Sequence, residues 1–411
     1  MDQAKVIYQP STRIKRNKSA VKILTITTLF PNCQDPKHGI FVESRLKHLV
    51  SQYPDIELTI IAPIPWFPFA GKHFGSYAKF AKVPRQESRI GAVVYHPRYL
   101  VIPKIGMLIT PFTLAISIII CLKKQFSIDS DFDLVDGHYF YPDGVAIAIC
   151  KPWLKVPLFL TARGTDLNLI PRYRLPRMLV QWASKRATKV FTVCEALRRA
   201  AIGIGFPANQ VVTLRNGVDL ELFHPPRSRE SLRENLGIQG NAILSVGHLI
   251  ERKGHHLIID ALVGLQGVTL YIAGDGPLRS QLQKQAADRG VASRVRFLGS
   301  LSQAELVTYY GAVDALVLAS SREGWANVLL ESMACGTPVV ATCVWGTPEV
   351  VQPDSGGKLC ERSAHSIATA ITELFEHPPE RTNVRSYAER FDWAQTSFGQ
   401  RTHFEEAIRV A

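Results

Sequence analysis

Features that would mark a secreted, metal-stapled or membrane-spanning chain are sparse in this 411-residue sequence. Its cysteines (Cys33, Cys121, Cys150, Cys194, Cys335, Cys343 and Cys360) are scattered, odd in number and form no Cys-x-x-Cys pair. That argues against a disulfide framework or a zinc site and fits reduced thiols in a cytoplasmic protein. The polar, basic stretch 1–20 has no apolar segment of the secretory kind, so no leader is expected, and it reads as a disordered arm. One long apolar run stands out, GMLITPFTLAISIIICL at 106–122, which is 17 residues long and interrupted by Pro111. It falls short of a typical span and reads as a helix packed between the layers of an α/β domain. The minority reading, a helix seated on a membrane, draws on the nearby Lys104, Lys123 and Lys124.

Acidic residues are scarce in one half only. Residues 1–205 hold 29 Lys and Arg against 13 Asp and Glu, whereas residues 206–411 hold 19 against 22. A basic first half is expected to meet something anionic, such as a lipid surface or a phosphate-bearing acceptor, or else to be a solvated face. Nucleic acid is not expected, because the basic residues form no recognised module and aromatics are not interleaved with them.

What is present is a regular alternation. The length suits two domains of about 200 residues each. Buried-type strands at 21–30, 57–64, 133–139, 157–164, 189–194 and 211–217 alternate with helical patterns in the first half. The second half repeats this with strands at 241–249, 268–277, 295–300, 314–320 and 337–342. Such alternation predicts an α/β fold of two Rossmann-like, doubly wound domains, each a parallel sheet covered on both faces. Ligand is expected in the cleft between the C-terminal edges of the sheets. The expected boundaries are an N-terminal domain at 21–215, a Pro-rich linker at 216–230 and a C-terminal domain at 231–392. A final helix at 393–411 is expected to return to the N-terminal domain.

Four segments carry chemistry. In SREGWANVLLESMACGTPVVAT, Glu323 precedes a helix and Glu331 lies within it. The expected helix start, Trp325 to Leu329, would offer the free N–H groups of Asn327, Val328 and Leu329 to a diphosphate. Two glutamates are more often surface charges, but an apolar, small-residue setting favours a buried polar site. In SVGHLIERKG, Arg252 and Lys253 occupy a turn bordering the crevice, where cations can neutralise a departing diphosphate. IAGDGP lacks the third glycine of a dinucleotide fingerprint, which makes a dehydrogenase reading weak. FLGS ends a strand whose backbone could meet a base edge.

The ordered set SVGHLIERKG, IAGDGPLRSQLQ, VRFLGSLSQAEL, EGWANVLLE and ACGTPVVAT resembles the C-terminal domain of family four of the retaining GT-B glycosyltransferases. FPNCQDPKHGIFVESRLKHL, LVDGHYFYPDG, LTARGTDLN and RNGVDLELF resemble the first domain of bacterial members that build exopolysaccharide, capsule or teichuronic-type polymers. The resemblance implies that Glu331 binds the donor ribose, Lys253 the diphosphate and Glu323 a hydroxyl of the transferred sugar. Phe297, Leu298 and Gly299 would hold the base, Gly39 and Ile40 would approach the phosphates, and His138 would lie near the sugar. It departs from the family at His248, where an Arg is usual, and at Arg163, which stands first in the turn Arg163-Gly164-Thr165-Asp166 where a His is usual. The implied activity is retaining transfer from a UDP- or GDP-sugar to a lipid-linked or surface-polysaccharide acceptor. It would run without cofactor or metal, since no Asp-x-Asp pair falls in the right loop, at the cytoplasmic face of the plasma membrane. The competing readings are an epimerase or phosphorylase on the same scaffold, or a silent nucleotide-sugar-binding subunit.

Overall fold

The computed structural model describes residues 20–67, 77–102, 106–126 and 131–411. The expected arm, Ala20 apart, and Lys104 lie outside the described residues.

The first sheet has eight strands in the order β10-β9-β8-β7-β1-β2-β5-β4. They are β1 (Val21–Ile26), β2 (Ile56–Ile61), β4 (Gln86–Arg89), β5 (Ala92–Tyr95), β7 (Leu134–His138), β8 (Leu158–Ala162), β9 (Lys189–Thr192) and β10 (Val211–Thr213). All run parallel except β4, which closes the edge as an antiparallel hairpin with β5. A short pair, β3 (Ile64–Pro65) and β6 (Arg98–Tyr99), lies apart. The second sheet is wholly parallel, in the order β13-β12-β11-β14-β15-β16. Its strands are β11 (Asn241–Val246), β12 (Val268–Ala273), β13 (Val295–Gly299), β14 (Ala315–Leu318), β15 (Val339–Thr342) and β16 (Lys358–Cys360). Central strands such as β8 (LFLTA) and β15 (VVAT) are buried at every position, as a sheet covered on both faces requires.

The sequence reading differs from the structure at several elements, of which these are instructive. The stretch 65–105, read as a polar segment, holds the β4–β5 hairpin, whose strands are too short and too polar to show a clear period. The helix expected from Trp325 begins two residues later, at Asn327, and ends at Ala334. Strand β16 has three residues and only one obvious apolar position, so it too was missed.

The chain crosses between the domains twice, side by side. The Val218 N–H donates to the Phe391 carbonyl at 2.9 Å, and Gly217 has no room for a Cβ because the Trp393 nitrogen would lie 2.5 Å from it. The helix Trp393–Val410 then packs on the helix Ile40–Gln52 of the first domain. It is capped by Asp392 and sinks Phe404 against Phe159 and Phe191.

The C-terminal edges of the two sheets touch main chain to main chain. A Cβ on Gly324 would sit 2.0 Å from the Arg163 carbonyl oxygen, and one on Gly346 would sit 3.0 Å from the Cys194 side chain. Glu349 of the second domain accepts from the N–H groups of Glu195 and Ala196, at the start of a first-domain helix, and from Arg215 at 2.7 Å. A carboxylate at a helix N-terminus is favoured by the helix dipole as well as by the hydrogen bonds.

A single methyl group at position 324 therefore has to push the domains apart. Gly324→Ala is expected to enlarge the radius of gyration in small-angle scattering and to cut turnover about tenfold or more. An unchanged scattering curve with full activity would show that this contact is dispensable.

Candidate active site

Between the domains lies a cavity of about 480 Å³, lined from the first by Phe41, Tyr139, Arg163, Thr165 and Asn216, and from the second by Arg252, Lys253, Arg322, Glu323 and Asn327. The Lys253 ammonium donates to Glu323 Oε1 at 2.6 Å, and Ser320 donates to the same oxygen at 2.6 Å. Arg252 lies 3.6 Å from Oε2 and donates to the Arg322 carbonyl at 2.9 Å. Burial alone would raise the Glu323 pKa, but Lys253, Arg252 and these hydrogen bonds outweigh it and hold the group below the usual carboxylate range. Two cations share one carboxylate, which leaves the corner net positive and suited to a dianionic phosphate.

Glycine makes this corner possible. Gly247, at φ 152°, would place a Cβ 3.2 Å from the Lys253 side chain, and Gly274, at φ 144°, would drive one to 1.9 Å from the Gly247 carbonyl oxygen. The exits of β11 and β12 thus nest without side chains between them. They help line a second cavity of about 1040 Å³, together with Gly39, His248, Asp275, Ser300 and Leu301.

Arg163 is the dominant cation on the first-domain side, and it is held on three sides. One nitrogen donates to Asn216 Oδ1 at 3.1 Å and the other to His138 Nδ1 at 2.8 Å, while Phe41 presents its ring 5.3 Å away. A guanidinium can only donate, so His138 Nδ1 is an acceptor and the ring proton resides on Nε2, facing Asp136 at 3.2 Å. The chain of contacts continues through Gln400, which donates to Asp136 and accepts from Arg45, each at 2.9 Å. Burial pushes the His138 pKa down to about 4, so the ring is neutral at physiological pH. Asp166 accepts from the N–H groups of Arg163, Gly164 and Phe140 and fixes the turn on which Arg163 stands.

The structure brings Glu323, Lys253, Arg252, Asn327, Val328 and Arg163 to one cavity. His248 and Gly39 line the other cavity, and Phe297, Leu298 and Gly299 form the strand end just before its Ser300 and Leu301. Three expectations need correction. His138 is fully buried behind Arg163 and reaches the cavity only through it. The Leu329 N–H is not free, since it donates to the Ala326 carbonyl at 3.0 Å, and its side chain is in the core. Ile40 begins a helix and lines neither cavity; its neighbour Phe41 does. Glu331 is partly exposed, lines neither of these two cavities, and accepts from the Tyr310 hydroxyl at 2.9 Å.

The sequence reading passed over Tyr139, Asn216 and Arg322. Tyr139 takes φ 75°, rare for a non-glycine residue, and is held there by its N–H to the Thr161 carbonyl. Asn216 links the domains by donating to Asn327 Oδ1 at 3.2 Å. Their signal lay in strand-exit position, since β7 and β10 end just before them, and not in residue type. Among the described residues no group of three or more His, Cys, Asp or Glu is placed to hold a metal ion.

Two open-twisted α/β domains closed over a cation-lined cleft define the GT-B class of glycosyltransferase folds. Solved structures share this architecture. The sucrose-phosphate synthase of Thermosynechococcus elongatus superposes with a TM-score of 0.79 at 18% identity, covering 95% of this chain and all of that one. Anabaena HepE, in a structure with UDP and glucose, gives 0.70 at 22%, covering 94% and 100%. Residues 47–222 match the model described as Glycosyltransferase Family 4, and residues 228–391 match that of Glycosyl transferases group 1. A Bacillus subtilis candidate glycosyltransferase of teichuronic acid biosynthesis, TuaC, is 28% identical over 364 residues, which is 87% of this chain and 90% of that one. The D-inositol 3-phosphate glycosyltransferase of Mycolicibacterium smegmatis is 30% identical over 289 residues, 64% and 65% of the two chains. The chain is a glycosyltransferase of the group 1 and family 4 type.

Glu331 supplies a pH test. Burial raises its carboxyl from the ordinary 4.5 to about 7, opposed only by the Tyr310 hydrogen bond. A raised acid favours its neutral form in the folded state, so the folded chain loses stability as pH climbs from 4.5 to 7 and recovers none above it. Glu331→Gln is expected to stabilise the ligand-free protein by up to about 3 kcal/mol above pH 7 and by nothing below pH 4. Thermal melts of both proteins across that range check it, and a constant difference would contradict the buried-carboxylate account.

Proposed function

We propose that the protein transfers a sugar from a nucleoside diphosphate donor to a hydroxyl of a lipid-linked or growing surface glycan, with retention of anomeric configuration. The observation that carries this reading is the Lys253–Glu323–Arg252 cluster on the cleft wall. Lys253 and Arg252 would receive the diphosphate, and Glu323 would then turn its second oxygen to a sugar hydroxyl. Glu331 would meet the donor ribose, as the family resemblance implies. The anomeric carbon–oxygen bond to the phosphate breaks and the acceptor oxygen bonds to the same face of that carbon. The acceptor proton passes to a phosphate oxygen of the departing diphosphate. Fixed cations stabilise the developing charge without reorganising, which is the most effective form of electrostatic catalysis.

No divalent metal is needed in this scheme, because Lys253 and Arg252 occupy the place where one would act. UDP or GDP donors both suit the larger cavity, whose strand-exit carbonyls and N–H groups can pair with either base. The resemblance to surface-polymer enzymes and the basic first domain support a lipid-linked acceptor and a place at the cytoplasmic face of the plasma membrane. An epimerase or a silent binding subunit has no comparable support, because the donor-side cations and carboxylate are all in place.

Lys253→Ala is expected to lower turnover by about two orders of magnitude or more, and Glu331→Ala to raise the KM for donor with a smaller loss of kcat. Nucleoside diphosphate release from a panel of UDP- and GDP-sugars measures both. Wild-type kinetics in the two variants would remove the assignment. Activity should survive EDTA; a strict requirement for added metal would refute the metal-free scheme.

A further inference from the structure

The helix Gly106–Gln125 shows two faces. Leu114, Ala115, Ile118 and Leu122 are buried against the first domain. On the opposite side Leu108, Phe112, Ile116 and Ile120 are 43%, 48%, 59% and 49% exposed. They recur every fourth residue and so form one continuous apolar stripe. The helices Val145–Leu154 and Arg174–Ser184 pack beside it. They add exposed Trp153, Leu175 and Met178. None of the three helices contains an Asp or a Glu, and their exposed charges are Lys123, Lys124, Arg174 and Arg177. A clustered apolar patch of this extent on a soluble face marks an interaction surface.

We propose that this face seats the protein on an anionic lipid bilayer, the helix Gly106–Gln125 lying in the interfacial plane with its apolar stripe among the acyl chains. A spanning helix is ruled out by the packing, since the opposite side of the same helix belongs to the protein core. A second copy of the chain is disfavoured by charge, because a two-fold contact would set an acid-free basic face against itself. Anionic head groups complement it instead, and apolar insertion combined with basic residues is how interfacial helices bind.

The face also has a direction. Its near end abuts the cleft: the Tyr141 hydroxyl donates to the Met107 carbonyl, and Tyr139, two residues away, lines the smaller cavity. Likewise Asn168 lines that cavity, and the helix bearing Leu175 and Met178 begins six residues later. Seated this way, the cavity opens beside the head groups, where a lipid-linked acceptor presents its sugar. The surface assignment rests on the glycosyltransferase reading only for that last step.

The test uses the whole protein, with sedimentation on phosphatidylglycerol-containing vesicles and on pure phosphatidylcholine ones. Wild type is expected to pellet with the former at low salt. The double variant Phe112→Glu/Ile116→Glu should lose binding about tenfold or more, and Lys123→Gln/Lys124→Gln should weaken both the binding and its salt dependence, with Arg174 and Arg177 retaining the remainder. Donor-dependent release of nucleoside diphosphate in the absence of vesicles should be unchanged in both, which separates failure of docking from failure of the catalytic reading and from misfolding. The proposal is overturned if wild type ignores anionic vesicles, or if Phe112→Glu/Ile116→Glu binds them as well as wild type. It is overturned equally if analytical ultracentrifugation finds a dimer that this variant converts to monomer, which would make the face a self-association surface.

Discussion

Where Arg163 and Gly164 meet Glu323 and Gly324, the two domains approach without any side chain between them, and the cleft takes its dimensions from that approach. Each glycine pair sits at the end of a strand or in the turn after it, so the contact joins the rigid parts of both sheets. The charged groups then fall into place by their position in the turns. Glu323 precedes Gly324 and faces Lys253, while Arg163 precedes Gly164 and faces Asn216. Bulkier residues at these points would widen the cleft and let water between the cations and a diphosphate. In water their attraction falls several-fold from its value in a partly dry cleft.

The two walls solve the problem of buried charge differently. On the second domain, the cations are balanced directly by Glu323, at 2.6 Å from Lys253. On the first domain, Arg163 meets only neutral acceptors, and the balancing carboxylate Asp136 is one residue removed behind His138. Burial accordingly lowers the Arg163 pKa to about 9, with the like charge of Arg45 adding to the effect. The guanidinium stays protonated at neutral pH while remaining under-compensated, a state that favours an electron-rich group beside it.

The sequence made the two-domain α/β plan legible because strands buried on both faces are continuous apolar runs that turn residues punctuate. It made the donor corner legible because Arg252, Lys253, Glu323 and Glu331 fall within motifs whose order is specific. It did not reveal which of these would face the cavity. Glu331 is partly exposed, yet lines neither of the two cavities and holds the Tyr310 hydroxyl instead. His138 was placed at the sugar by position in a motif, whereas packing puts Arg163 in front of it. Tyr139 and Asn216 were passed over because nothing in their residue type separates them from ordinary loop residues; only the spatial meeting of β7, β8 and β10 makes them neighbours.

The paired crossings at Val218 and Phe391 carry a mechanical consequence. A single tether would let one domain swivel about any axis, whereas two adjoining tethers, hydrogen-bonded together and braced by Trp393 against Gly217, leave one easy motion, a swing about the line they share. The cleft can open like a book on its spine but resists shear. Whatever enters or leaves the cleft then uses the one gap that this swing opens.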